Sequence, residues 1–180
     1  VYVSNNLKNI IDNIFINYNL NNKLNIAIAP GAGGQHKCYS IDKYIEIADY
    51  FIKKKYNLFF IIGPNEIYNK YPILKKKFPE AFFPLQDLFN IKINYSIKTS
   101  FYVLNKLDFI ILNDGGISHI AALTNINIIY IRPKLHLKFH PNTKNIISTF
   151  DFYNNYDNIN DIPVNLVLKI FKENLNNLSY

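Results

Sequence analysis

The sequence predicts an α/β fold, a Rossmann-like doubly wound parallel sheet, and three observations carry that prediction. Short runs such as Leu58–Ile62, Phe109–Leu112 and Ile126–Ile131 are apolar almost throughout, as expected of strands buried on both faces. Longer stretches with apolar residues at helical spacing separate them. Glycine- or proline-bearing turns close several of the runs at their carboxyl ends. Strand, turn and helix in repeated succession indicate a sheet covered on both sides by helices.

At 180 residues the chain is long enough for one domain with a sizeable core. Its 49% hydrophobic and 18% charged residues exclude a disordered chain. The sequence has no Met, so residue 1 is not expected to be a translation start, and the chain is read as a fragment or processed product. The formal net charge is +7, but the lysines are dispersed. Lys53–Lys55 and Lys75–Lys77 each close a predicted helix, where cations complement the dipole, so a nucleic-acid partner is not expected. Peripheral contact with anionic lipid headgroups fits the charge better. No apolar stretch is long enough to span a bilayer, and no signal peptide is visible. The single Cys38 cannot form an intrachain disulfide, which is compatible with a reducing cytoplasm.

In order, Ser4 caps a helix running to Tyr18, with Leu7, Ile10, Ile11, Ile14 and Phe15 on its apolar face. Residues 1–22 are this helix and a linker, and 23–163 the Rossmann-like domain. Leu24–Ala29 is the first strand, ending in Pro30-Gly31-Ala32-Gly33-Gly34-Gln35-His36-Lys37. Ser40 caps the next helix, which buries Ile41, Tyr44, Ile45, Ala48, Phe51 and Ile52. Leu58–Ile62 is the second strand and leads into Gly63-Pro64-Asn65-Glu66. A helix over Ile67–Phe78 follows, kinked or split at Pro72. Glu80–Pro84 is a short third strand bracketed by prolines. A helix over Ser96–Lys106 precedes the fourth strand, Asp108–Leu112. The fifth is Ile126–Ile131 and the sixth Lys144–Ser148, and 164–180 forms a closing helical segment, helical from Val164 to Leu175.

With right-handed crossovers the strand order is 3-2-1-4-5-6, which makes the first and fourth strands neighbours. The loops after Ala29 and after Leu112 then face each other across the switch point, with the Gly63 loop one strand farther out. Asn113-Asp114-Gly115-Gly116 at a helix N-terminus exposes backbone amides suited to an anion, although an ordinary turn has the same residues. Gly31, Gly33 and Gly34 permit close backbone approach, and Lys37 adds a positive charge. The loop lacks the Gly-Lys-Ser/Thr ending of a Walker sequence and the spacing of a nicotinamide fingerprint. Glu66 stands where an acid can accept from ribose hydroxyls, or merely favour a helix N-terminus. Asp114 is a cap, a loop brace or a sugar-hydroxyl acceptor. His119 is either a partly buried structural histidine or a phosphate donor. His136 and His140 lack a supporting acid, so no metal site is expected.

Pro30-Gly31-Ala32-Gly33-Gly34, then Lys37-x-Tyr39, a Gly-x-x-Glu loop, and Asn113-Asp114-x-Gly116-x-x-His119-x-Ala121-Ala122 together resemble glycosyltransferase family 9, the lipopolysaccharide heptosyltransferases. The resemblance runs from about Leu24 to Pro141. It implies the C-terminal, donor-binding half of a GT-B enzyme that transfers a heptose from an ADP-sugar to a lipid-linked saccharide acceptor in lipopolysaccharide core synthesis. Lys37 and the glycine loop would contact the diphosphate, and Glu66 the ribose. Asp114, Gly115, Gly116 and His119 would complete the diphosphate and sugar side, with Lys37 and Asp114 the catalytic pair. No metal or other cofactor is implied. The acceptor-activating base would lie in the absent N-terminal half, and the enzyme would be cytoplasmic, peripheral on the inner membrane. Three residues depart from the pattern: Tyr39 stands for the usual Trp, Gly115 for Ser or Thr, and Arg132 for a glycine. Gly115 and Arg132 motivate one alternative, a catalytically degenerate sugar-nucleotide-binding module; a second alternative is another GT-B enzyme using a UDP-sugar.

Overall fold

A computed structural model of the chain describes residues 1–133, 146–149 and 156–175. Its centre is a five-stranded parallel sheet. The strands are β1 (Asn25–Ala29), β2 (Asn57–Phe60), β3 (Phe109–Asn113), β4 (Asn127–Ile131) and β5 (Ile146–Ser148). Their spatial order is β2-β1-β3-β4-β5. β1 therefore lies between β2 and β3, with Ala27 opposite Phe59 on one side and Ile110 on the other. This is the expected doubly wound arrangement, and it puts the ends of β1 and β3 side by side.

The expected third strand has shrunk to one bridge. Phe82 pairs in parallel with Phe59, donating to Leu58 O and accepting from Phe60 N, both at 2.9 Å. It occupies the predicted place outside β2 but cannot extend. Pro84 lacks an amide hydrogen and instead opens α4 (Pro84–Asn90), where the missing donor costs nothing. The expected helix over Ile67–Phe78 is corrected in the same way. Residues 64–70 form turns, and α3 runs only from Tyr71 to Lys77 with Pro72 in its first turn, so the proline starts the helix rather than kinking it.

Helices cover both faces. On one side α2 (Ile41–Lys53) and α7 (Val164–Leu175) pack Tyr44, Ile47, Phe51, Val167, Ile170 and Phe171 against Ile26, Ile28, Phe109 and Ile111. On the other, α1 (Asn5–Asn17), α4, α5 (Ile97–Leu104) and α6 (Gly116–Ala121) bring Ile11, Leu85, Leu88, Val103 and Ala121 against Ala27, Ala29 and Ile110. Successive strand residues thus serve opposite cores, which explains why the strands are apolar throughout. Ser4 and Ser96 cap α1 and α5 by accepting from Leu7 N and Thr99 N. Ser40 stands at the N-cap of α2 but its side chain makes no capping bond; its amide donates to Asn160 Oδ1 at 2.7 Å instead. No helix among the described residues is long and apolar enough to cross a membrane.

Candidate functional site

The end of β3 carries two adjacent residues with different tasks. Asn113 is fully buried, accepts from the Tyr44 hydroxyl at 2.5 Å and donates to Gly31 O at 3.0 Å. It therefore ties α2 and the loop after β1 to the end of β3. The next residue, Asp114, is 8% exposed and receives the Lys37 ammonium at 2.5 Å. Lys37 ends a short 3-10 turn, Gln35–Lys37, and reaches across from the first glycine loop. Residues 77 apart in sequence thus form one ion pair at the switch point.

Burial raises the Asp114 carboxyl's pKa, but the Lys37 ammonium, the Tyr130 hydroxyl and the charge of His119 outweigh it and hold the group below the usual carboxylate range. The Tyr130 phenol, buried on β4, is pushed well up by desolvation and then by the Asp114 charge. Asp114 is accordingly an anion held by two donors, not a proton donor at neutral pH.

Beside this pair lies a cleft of about 360 Å³. All three expected loops line it, through Gly31, Ala32 and Gly33, then Gly63 to Glu66, then Gly115 and Gly116. Its apolar wall is Ile61, Leu85, Ile117 and Ile120, with Tyr95, Ser96 and Ser100 from the start of α5. The Glu66 carboxylate is wedged between two glycines. A Cβ on Gly31 would meet its carboxyl carbon at 2.7 Å, and one on Gly63 would meet Oε2 at 2.8 Å. Gly115 packs against the first loop, so a Cβ there would sit 3.3 Å from both Ala32 Cα and Gly31 O. Among the described residues, the amides of Gly31 to Gly34 donate to no protein acceptor.

The residues expected at the site are therefore only partly in one place. Gly31, Gly33, Glu66, Gly115 and Gly116 line the cleft, and Lys37 and Asp114 pair next to it. Gly34 faces the His36 ring and does not line the cleft. His119 is exposed rather than partly buried, and acts on Asp114 through its charge. His136 and His140 lie outside the described residues, among which no His, Cys, Asp or Glu cluster is placed to hold a metal ion. Tyr130, Tyr95, Ser100 and Gln86 were not expected. Tyr130 looks like any strand residue in the sequence; Gln86 lies in α4, whose only signal is Pro84 followed by Leu85 and Leu88, and Tyr95 and Ser100 sit just before and within α5, where nothing in the spacing sets them apart as site residues.

The departures from the family pattern are also resolved in space. Arg132 is buried, donates through Nε to Ser148 Oγ at 2.7 Å and lies over the Tyr130 ring at 5.9 Å; it is not part of the cleft lining. Tyr39 is 1% exposed and donates to Ile162 O at 2.9 Å, anchoring the segment that leads into α7.

A model of glycosyltransferase family 9 (heptosyltransferase) matches residues 7–147. No curated protein matches the sequence. Among solved structures, a family 9 glycosyl transferase from Veillonella parvula superposes with a TM-score of 0.81 at 15% identity, covering 98% of this chain and 53% of that one. The Escherichia coli ADP-heptose LPS heptosyltransferase II gives 0.75 at 18% identity, covering 100% and 54%. The E. coli heptosyltransferase WaaC, solved with ADP-2-deoxy-2-fluoro heptose, gives 0.67 at 15% identity over 87% and 45%. The chain thus spans about half the length of the structures it matches.

Proposed function

We propose, from the premise that the chain belongs to glycosyltransferase family 9, that its cleft binds a nucleotide-sugar donor, an ADP-activated heptose. The chain would be the donor-binding half of an inverting enzyme that passes the sugar to a lipopolysaccharide core acceptor. The observation that carries this reading is the convergence of three glycine-bearing loops on one cleft, with a cation at one loop and a carboxylate at another. Its volume lies within the range of about 300–1,000 Å³ typical of ligand sites.

Each part has a task in the transfer. As the bond to the sugar breaks, negative charge builds on the leaving diphosphate, and fixed donors that already face it lower the barrier. The amides of Gly31 and Gly33, which donate to no acceptor among the described residues, and the Lys37 ammonium would be such donors; Gly115 and Gly116 keep the opposite loop close. Asp114 holds Lys37 in place and offers its second oxygen to a sugar hydroxyl, with His119 completing the same side. Glu66, wedged between Gly31 and Gly63, accepts from the ribose hydroxyls. Charge neutralisation by these groups needs no metal ion or other cofactor. The chain would act on the cytoplasmic side of the inner membrane together with an N-terminal half that supplies the acceptor base.

Arg132, which favours the degenerate-module alternative in the sequence, points into β5 rather than into the cleft, so it leaves the donor site open. Calorimetric titration with ADP, UDP and GDP tests the reading. ADP is expected to bind best, and Lys37→Ala to weaken it by roughly ten- to a hundredfold, the worth of a charged hydrogen bond. No binding at millimolar concentration would sink the proposal, and preference for UDP would favour the UDP-sugar alternative.

A further inference from the structure

At the apolar end of the cleft, one buried amide dictates which way a hydroxyl proton points. Gln86 on α4 is 2% exposed. Its Nε2 donates to Ile62 O at 3.0 Å and to the Tyr95 hydroxyl at 2.6 Å. A carbonyl oxygen only accepts, so the contact with Ile62 fixes which end of the amide is nitrogen. Both hydrogens of that nitrogen are then used, one on each partner. An amide nitrogen accepts nothing in return, so Tyr95 must receive the bond from Gln86 and direct its own proton elsewhere. Among the described residues no acceptor takes that proton, while Tyr95 itself lines the cleft. Its ring is held by Phe89, with centroids 5.6 Å apart and planes 28° from parallel. Of the two serines that line this corner, Ser96 and Ser100, the first already caps α5.

We propose that Tyr95 is the hydrogen-bond donor to the base of the bound nucleotide, and that Gln86 is the positioning residue that sets the direction of that bond. The proposal rests on the reading of the cleft as a nucleotide-sugar site. A heteroaromatic base fits the wall of Ile61, Leu85 and Ile117, and its edge carries ring-nitrogen or carbonyl acceptors for the phenolic proton. The anchor, Ile62 O, lies just beyond β2, so the donor is referenced to the sheet itself.

The test compares ADP with pyrophosphate, which lacks the base, the latter measured by displacement of ADP. Tyr95→Phe keeps the ring and its packing, and is expected to weaken ADP about three- to tenfold while leaving pyrophosphate unchanged. Gln86→Leu should weaken ADP to a similar degree in the native background and have no further effect beside Tyr95→Phe. Equal ADP affinity in Tyr95→Phe and the native protein would overturn the proposal, as would a parallel loss for pyrophosphate. If Gln86→Leu does not fold, the Tyr95→Phe comparison decides alone. Failure of the native protein to bind either ligand would instead refute the nucleotide reading of the cleft.

Discussion

Adding one methyl group at Gly31 should displace Glu66 without disturbing the fold, and so isolate what that carboxylate does. The new Cβ would lie 2.7 Å from the Glu66 carboxyl carbon and 2.8 and 2.9 Å from its oxygens. Comfortable carbon contacts need about 3.5–4.0 Å, so the carboxylate has to retreat by roughly an ångström. No left-handed backbone is involved at Gly31, and the atoms that must move are the far end of a partly exposed side chain. The stability cost of Gly31→Ala is therefore expected to stay below about 1 kcal/mol. Binding should suffer far more. A bond of 2.8 Å stretched by an ångström is no longer a hydrogen bond, and one made to a charged group is worth about 1.5–3 kcal/mol. ADP affinity should fall by roughly ten- to a hundredfold, with the melting temperature nearly unchanged. The same substitution made beside Glu66→Ala should have no further effect, because both changes act through one carboxylate. Calorimetry on the four proteins gives the cycle. An ADP affinity in Gly31→Ala within twofold of the native value, or losses that simply add, would refute the placement of Glu66 on the ligand.

The ion pair gives a pH dependence whose sign is fixed. The Asp114 carboxyl is held below its unfolded value, so its stabilisation is complete above about pH 4 and is lost as pH falls through the folded-state value. The gap in melting temperature between the native protein and Asp114→Asn should accordingly be widest near neutrality and close below about pH 4; a gap that widens in acid would contradict it. Asn113→Ala leaves the buried Tyr44 hydroxyl and Gly31 O unpaired and should cost about 2–4 kcal/mol in urea unfolding. Adding Tyr44→Phe should return part of that loss, and no recovery would mean the Asn113 bonds do not carry the effect. Gly115→Ser enters an extended backbone with φ −174° and a space 3.3 Å from Ala32 Cα, so it should cost about 1 kcal/mol, or 2–4 °C in melting temperature, by calorimetry. A drop of ten degrees would show the two loops to be packed more tightly than the structure has them.

What the sequence revealed and what it hid divide along physical lines. Uninterrupted apolar runs disclose strands whose alternate residues feed two cores, so β1, β2, β3 and β4 and their order were legible. Capping serines and helical spacing disclosed α1, α5 and α7. The proline-flanked Glu80–Pro84 was not legible, because a proline that ends a strand and one that begins a helix look alike until the backbone is placed. For the same reason α4, and with it Gln86 and the floor beside Tyr95, left almost no trace. The glycine loops announced a cleft, but the partner of Lys37 could not be read from a spacing of 77 residues. Tyr130 was hidden for a different reason. A strand tyrosine is expected to be core, and only the geometry shows its hydroxyl reaching the Asp114 carboxylate.

The Asn113–Asp114 dipeptide shows why this turn can be both rigid and reactive. Consecutive side chains leaving a strand point to opposite sides. Asn113 bonds protein at both ends of its amide, accepting from the Tyr44 hydroxyl and donating to Gly31 O, and so ties the first glycine loop to the end of β3. Asp114, on the other side, pairs with Lys37 and holds it in place, its own carboxyl kept an anion because its pKa is held low. If the cleft takes a nucleotide-sugar as proposed, its diphosphate would compete with Asp114 for one ammonium instead of having to order a free lysine, so the entropy of fixing Lys37 would be met in folding and not in binding. That arrangement has a cost in affinity, because part of the lysine's charge is already compensated. Under the proposed function, such a balance would suit a site that holds its donor while charge develops and then releases the nucleotide diphosphate.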